Sequence, residues 1–265
     1  MSIHLVPLHF LPGSRGAALR ELCGSDEQSV SGTGTIDAIR LVDRLLVEEP
    51  GTHIGPGKAK RLTTADRDRL LAAIYAHTYG SCIKSTINCH ACKAPFDMDF
   101  SLEELVAHLY SSTGKVNVEK DADGVFKLPN GPGFRLPTGE DECEVLGMPP
   151  EEAEAALLAR CITDGDTKGK QKKLQDTMKA LAPVVDMDMD VKCPQCQNKQ
   201  QVHFDIQYYL LSTIIQECKQ FAVEVHRLAY AYGWSLQEIL HLPRSLRKTF
   251  VTLVEAEASL RRMQP

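Results

Sequence analysis

The chain has 265 residues, 43% of them hydrophobic and 25% charged, with a formal net charge of −5. This is ordinary globular usage, and it excludes a chain drawn to nucleic acid by overall charge. No apolar run approaches the ~18 residues of a membrane span. The N-terminus has neither the basic nor the apolar region of a signal peptide. Nine cysteines without an export signal point to a reducing, cytoplasmic setting, where thiols bind metal or sit buried.

Residues 1–34 are rich in Gly, Ser and Pro and read as a loosely ordered arm with one helical turn near Ala17 to Cys23. Its apolar side chains Ile3, Leu5, Val6, Leu8 and Phe10 suit docking on a partner by strand addition or insertion into a groove. A helix follows over residues 35–47, with Ile36, Ile39, Leu41, Leu45 and Leu46 as a partial apolar face. The stretch EEPGTHIGPGKAK ends it. GPGKAK lacks the phosphate-loop spacing and follows no strand, and SGTGT fails the dinucleotide pattern for the same lack of a strand. The organisation expected is an arm with a short helix over 1–60 and a second unit over 61–265.

LTTADRDRLLAAIYAHTYG reads as a helix, with Thr64 as N-cap, Asp66 and Asp68 in the first turn and Gly80 at its end. Two similar segments then frame the rest of the chain. SCIKSTINC-HAC-KAPFDMDFS and VVDMDMDVKC-PQC-QNKQQVHFD each alternate, pass through a C-x-x-C turn, alternate again and lead into a helix. This is an internal repeat of one strand–turn–strand–helix unit, with the two units over 82–100 and 187–206. A redox C-x-x-C opens a helix directly after a strand, and neither segment does so. Paired, Cys89, Cys92, Cys193 and Cys196 supply four thiolates to one tetrahedral ion, a structural Zn2+ at one per chain, with iron as the other candidate. The separation of the two motifs adds little closure cost, because that cost grows only logarithmically.

Residues 111–182 read as an insertion between these units, with NG and DG turns, short strands and two helices, EEAEAALLARCI and KKLQDTMKALA. The C-terminal helices occupy 207–265. Tyr208, Leu211, Ile215, Cys218, Ala222, Val225, Ala229 and Tyr232 recur at alternating steps of three and four and predict a buried seam. Pro243 opens a last helix in which Leu246, Phe250, Leu253 and Leu260 share a face. Cys161 and Cys218 fall on apolar helix faces as small buried side chains, whereas Cys23, Cys82 and Cys143 have no assigned role. The fold class is α+β, mostly helical, with a small zinc-ribbon-like β element built from two knuckles and a β-hairpin insertion.

The four-sulfur set is closed to substrate, the zinc-deaminase H-x-E signature is absent, and no nucleophile–base set is legible, so no enzyme is expected. With the knuckles, PNGPGFRLPTGED and EVHRLAYAYGWSLQEILHLPRSLRKTF in view, the chain resembles the baseplate hub assembly proteins of T-even-type contractile phages and their relatives in bacterial contractile injection systems. The likeness runs from about residue 60 to the C-terminus and is most specific at His226, Ala229, Tyr232, Trp234, Ile239, Leu240, Pro243 and Arg247. The resemblance implies a non-enzymatic structural or assembly protein whose partners are other tail or baseplate hub proteins, with no small-molecule substrate. It leaves open whether the chain stays in the finished particle or leaves as a chaperone. The competing reading is a nucleic-acid-binding zinc-ribbon regulator, suggested by Lys84, Lys93, Lys192 and Lys199 near the knuckles. No aromatic residues interleave with those lysines, and the acidic DMDMD run lies beside Cys193, so nucleic acid is the weaker partner.

Overall fold

The computed structural model describes residues 3–11, 16–52, 54–111, 118–121, 124–129, 131–165 and 169–263. Its first elements are strands β1 (Ile3–Pro7) and β2 (Gly16–Arg20), helices α1 (Gly24–Ser29) and α2 (Thr35–Leu45), and strand β3 (Leu46–Val47). The three strands form an antiparallel sheet in the order β1-β2-β3. Residues 16–20 are thus a strand where a helical turn was expected. Val6, Leu8, Ala17 and Leu19 lie in the main core with Leu41, Leu45, Leu70 and Leu71. The loose arm expected for 1–34 is therefore corrected: Val6, Leu8 and Phe10 fold back onto the chain's own cores, whereas Ile3 and Leu5 are exposed. Burial of Val6 and Leu8 and of the consecutive Ala17, Ala18 and Leu19 overrides the weak strand propensity of a Gly- and Pro-rich segment.

A 3-10 turn over Ala59–Arg61 leads into α3 (Thr64–Tyr79). The N-cap is Thr63, one residue before the expected Thr64, and its hydroxyl accepts from the Asp66 N–H at 3.2 Å. Gly80 closes the helix with φ +93°, a conformation that favours glycine. Asp66 lies in the first turn but does more than meet the helix dipole. Its carboxylate accepts the N–H groups of His9, Phe10 and Leu11 at 2.9, 3.0 and 2.9 Å, which ties the segment after β1 to α3.

The first cysteine unit is the hairpin β4 (Cys82–Asn88) and β5 (Pro95–Ser101), followed by α4 (Leu102–Ser111). Within the insertion come the short strands β6 (Glu119–Lys120), β7 (Phe126–Lys127) and β8 (Gly133–Phe134), helices α5 (Gly139–Glu144) and α6 (Pro150–Cys161), and β9 (Ile162–Asp164). The four strands make one sheet in that order, packed over a second core of Phe126, Phe134, Leu136, Leu158 and Leu174. Helix α7 (Gln171–Leu181) leads to the second cysteine unit, β10 (Asp186–Lys192) and β11 (Lys199–Asp205), and then to α8 (Ile206–Tyr232), α9 (Leu236–His241) and α10 (Arg244–Met263). Mixed helix and small sheets fit the α+β class.

A second internal repeat accompanies the cysteine units. LRELCGSDE and FRLPTGEDE each end a strand, pass a capping box and open a six-residue helix. Arg20 forks onto Asp26 at 2.6 and 2.8 Å, and Arg44 Nε donates to the same carboxylate at 3.1 Å. Arg135 forks onto Asp141 at 2.5 and 2.8 Å, and Arg160 Nε donates to it at 3.0 Å. The flanking pairs match too: Leu19 faces Leu46, and Phe134 faces Ile162. Each motif clasps the start of a helix through an isolated antiparallel bridge, Cys23 with Pro243 and Thr138 with Thr63. In each clasp a glutamate, Glu27 or Glu142, then receives a buried arginine from that helix, Arg247 or Arg67.

On α8 the buried line is Ile206, Leu210, Leu211, Ile214, Phe221, Glu224 and Leu228. Tyr208 is 60% exposed and Tyr232 39%, so the expected seam is displaced by about one position. The displacement has a cause: the buried line contains Glu224, ion-paired to Arg247, which apolar spacing does not count. Helix α10 is corrected in the same way. Arg244, Arg247 and Val251 face inward, while Leu246, Leu253 and Leu260 are exposed.

Candidate metal centre

The two hairpins are built alike. Their registers pair Cys82 with Ser101 through Asn88 with Pro95, and Asp186 with Asp205 through Lys192 with Lys199. Inward-pointing Ile87, Phe96 and Val191 pack around Cys89 and Cys193, whereas Asp186, Asp188 and Asp190 alternate outward. The tips coincide bond for bond. The N–H of Cys89 donates to Ala94 O at 3.0 Å and that of Cys193 to Asn198 O at 2.9 Å. Lys93 N–H returns to Cys89 O at 3.0 Å, and Gln197 N–H to Cys193 O at 3.0 Å. Such a tip curls the backbone around its first cysteine and aims both sulfurs of the turn at one point.

The structure brings the two tips together. Cys89 Sγ lies 3.5 Å from Cys196 Sγ, Cys92 Sγ lies 3.8 Å from Cys193 Sγ, and all four sulfurs fall within 4.8 Å of one another. Four sulfurs at ~2.3 Å from one tetrahedral ion stand ~3.8 Å apart, so the spacing fits a metal and is far from the ~2.05 Å of a disulfide. Cys89 and Cys193 are buried, and Cys92 and Cys196 are exposed.

Two of the thiols are shifted in opposite directions. The backbone N–H of Cys92 is the main influence bringing the Cys89 thiol down to about 6. At Cys196 the Asn198 N–H favours the thiolate, but partial desolvation and hydrogen bonding with the neighbouring sulfurs outweigh it and raise the thiol to about 11. Thiolates in mutual contact repel, so without a cation the set does not ionise together. The donor set is therefore one that could hold a metal ion, and it is compatible with zinc.

Gln200, which spacing arguments passed over, locks the tips to each other. It is 8% exposed. Its Oε1 accepts His90 N–H at 2.8 Å, and its Nε2 donates to Asn88 O at 3.1 Å. A buried side-chain amide beside a C-x-x-C turn was the available signal. His90 and His203 are exposed, as expected of solvent-facing neighbours. His203 sits between Asp186 and Asp188 at 3.2 and 3.1 Å, and its hydrogen bond to Asp188 raises its pKa. Cys82 is exposed and outside the sulfur cluster. Cys161 is buried, and Cys218 is half-buried with Sγ 3.3 Å from Glu27 O.

Comparison with known proteins adds an independent line. Residues 51–170 match the family model of the T4 bacteriophage base plate protein. This match supports a phage baseplate protein. The matched stretch carries α3, the first hairpin with Cys89 and Cys92, and the second clasp. No curated protein and no solved structure matches the chain. A baseplate family implies other baseplate proteins as partners and incorporation in the phage particle, and such families are typically non-enzymatic. Among the described residues, no helix is long and apolar enough to cross a membrane.

Proposed function

We propose that this protein is a non-enzymatic structural or assembly component of the baseplate hub of a contractile tail, or of a related contractile injection system. The match over residues 51–170 carries the baseplate reading. One zinc per chain, held by Cys89, Cys92, Cys193 and Cys196, is part of the proposal and rests on the four converging sulfurs. When bound, zinc supplies cohesion rather than chemistry, because four protein ligands leave no position for water or substrate. The chain's own residues do the rest. Phe96, Ile87 and Val191 cover Cys89 and Cys193, and Gln200 fixes the relative orientation of the tips. The paired hairpins then form a zinc ribbon that joins two distant parts of the sequence.

The outward face of β10 carries Asp186, Asp188 and Asp190, a poor surface for a nucleic-acid backbone, so protein partners are the better fit. These partners are other hub and baseplate proteins, met in the cytoplasm of the infected cell. The test is deletion of the gene. Particles without a complete hub or baseplate, with sheath and tube proteins still made, are expected. Normal, infective particles would refute the assignment.

A further inference from the structure

We propose that the cavity beside the second clasp binds an acidic–apolar segment of a partner protein, one carboxylate set next to an aliphatic or aromatic side chain. The cavity has a volume of about 370 Å³, within the range of a built ligand site. Phe10, Phe126 and Leu136 form its apolar lining, and Arg61, Arg135 and Arg160 bring three guanidinium groups to it.

The charge on this wall is consumed only in part, because Arg135 and Arg160 pair with Asp141 and Arg61 has no ion-pair partner among the described residues. Asp141 accepts from Arg135 Nη1 and Nη2 at 2.5 and 2.8 Å, from Thr138 N and Oγ1 at 3.0 and 2.9 Å, and from Arg160 Nε at 3.0 Å. A carboxylate offers about four lone-pair sites, so Asp141 is saturated. The Nη atoms of Arg160 and the side chain of Arg61 make no hydrogen bond among the described residues, while the Arg61 N–H donates to Lys58 O at 3.0 Å. Glu140 is the other acid on the wall and is exposed to solvent.

The first clasp serves as an internal control. There Arg44, the counterpart of Arg160, places Nη2 3.4 Å from Ser25 Oγ, and Arg20 Nη2 donates to Arg44 O at 2.9 Å. Glu140 stands in the second motif where Ser25 stands in the first, and Arg61 precedes Leu62 as His241 precedes Leu242. Both outer arginines are held through Nε, but the first clasp also engages an Nη of Arg44, whereas the second leaves the Arg160 Nη atoms and the Arg61 side chain beside an apolar lining. Guanidinium groups of this kind recognise carboxylates through paired, charge-assisted hydrogen bonds, and the lining takes the neighbouring side chain. The protein source of the segment rests on the assembly reading. The preference for a carboxylate beside an apolar group rests on the cavity alone.

Calorimetric titration of the full chain tests this with three probes: acetyl-Leu-Glu-Phe-amide, acetyl-Leu-Gln-Phe-amide and inorganic phosphate. The glutamate peptide is expected to bind about tenfold more tightly than the glutamine peptide. Arg61→Gln, a change at an exposed residue, is expected to remove most of that preference without moving the melting temperature. Equal binding of the two peptides, an unchanged preference in Arg61→Gln, or phosphate binding as tightly as the glutamate peptide would overturn the proposal. None of these readouts depends on baseplate assembly, so the site and the assembly reading fail separately.

Discussion

Lys93 and Gln197 adopt the same left-handed backbone, with φ of 62° and 61°, each one residue past the second cysteine of its turn. The coincidence shows two tips folded to one template and under the same local strain. Non-glycine residues pay ~1–2 kcal/mol in this region, partly offset by glycine's greater entropy loss on folding. Lys93→Gly and Gln197→Gly are each expected to stabilise the chain by about 0.5–1 kcal/mol in urea denaturation. Lys93→Ile is expected to do the reverse, and destabilisation by either glycine would show that these tips are not strained.

The buried ions behind the first clasp predict an asymmetry. Arg247 is 1% exposed at its side chain and is paired with Glu27 at 2.5 Å and Glu224 at 3.0 Å. Glu27→Gln leaves charged Arg247 and Arg244 short of a partner where water does not reach them. A loss of about 3 kcal/mol or more is expected from denaturant unfolding. The exposed pair Arg227–Glu255 is the control, with a loss of about 0.5 kcal/mol or less for Arg227→Ala. Equal losses would mean that the clasp is wetter than the structure indicates.

Asp68 gives a pH signature. Burial is the chief cause that raises its carboxyl from 3.8 to about 7, with Arg67 and the Val185 N–H opposing and Asp205 and Glu142 adding to the rise. Between pH ~4 and ~7 the folded state therefore holds a proton that the unfolded chain has released, and stability falls as pH rises through that window. Asp68→Asn keeps an acceptor for the Val185 N–H, which donates at 2.9 Å. Its stability relative to wild type is expected to climb from pH ~4 to ~7 and then level off. A difference that does not change with pH would place the Asp68 titration elsewhere.

Much of this architecture was legible because some signals are local. The β4–β5 and β10–β11 hairpins announce themselves by strict alternation on both sides of a C-x-x-C turn, and Gly80 and Gly233 mark helix ends. The clasps were hidden because their helices are six residues long and polar, and the Arg20–Asp26 and Arg135–Asp141 pairs are defined by a fold-back rather than by periodicity. Strand β1 was missed for a related reason. Val6 and Leu8 show their purpose only once α3 is placed, since Asp66 holds the following backbone. On α8, an apolar count selected exposed Tyr208 and Tyr232 and omitted Glu224, which is buried because Arg247 and Lys248 accompany it.

The claim that organises the molecule is that two hairpins, a hundred residues apart in sequence, share one ion through Cys89, Cys92, Cys193 and Cys196. Zinc K-edge X-ray absorption on the purified full chain tests it most directly. The account predicts one zinc environment of four sulfurs at about 2.3 Å, with no nitrogen or oxygen neighbours. A protein without zinc, or a zinc bound by only two sulfurs, would contradict it.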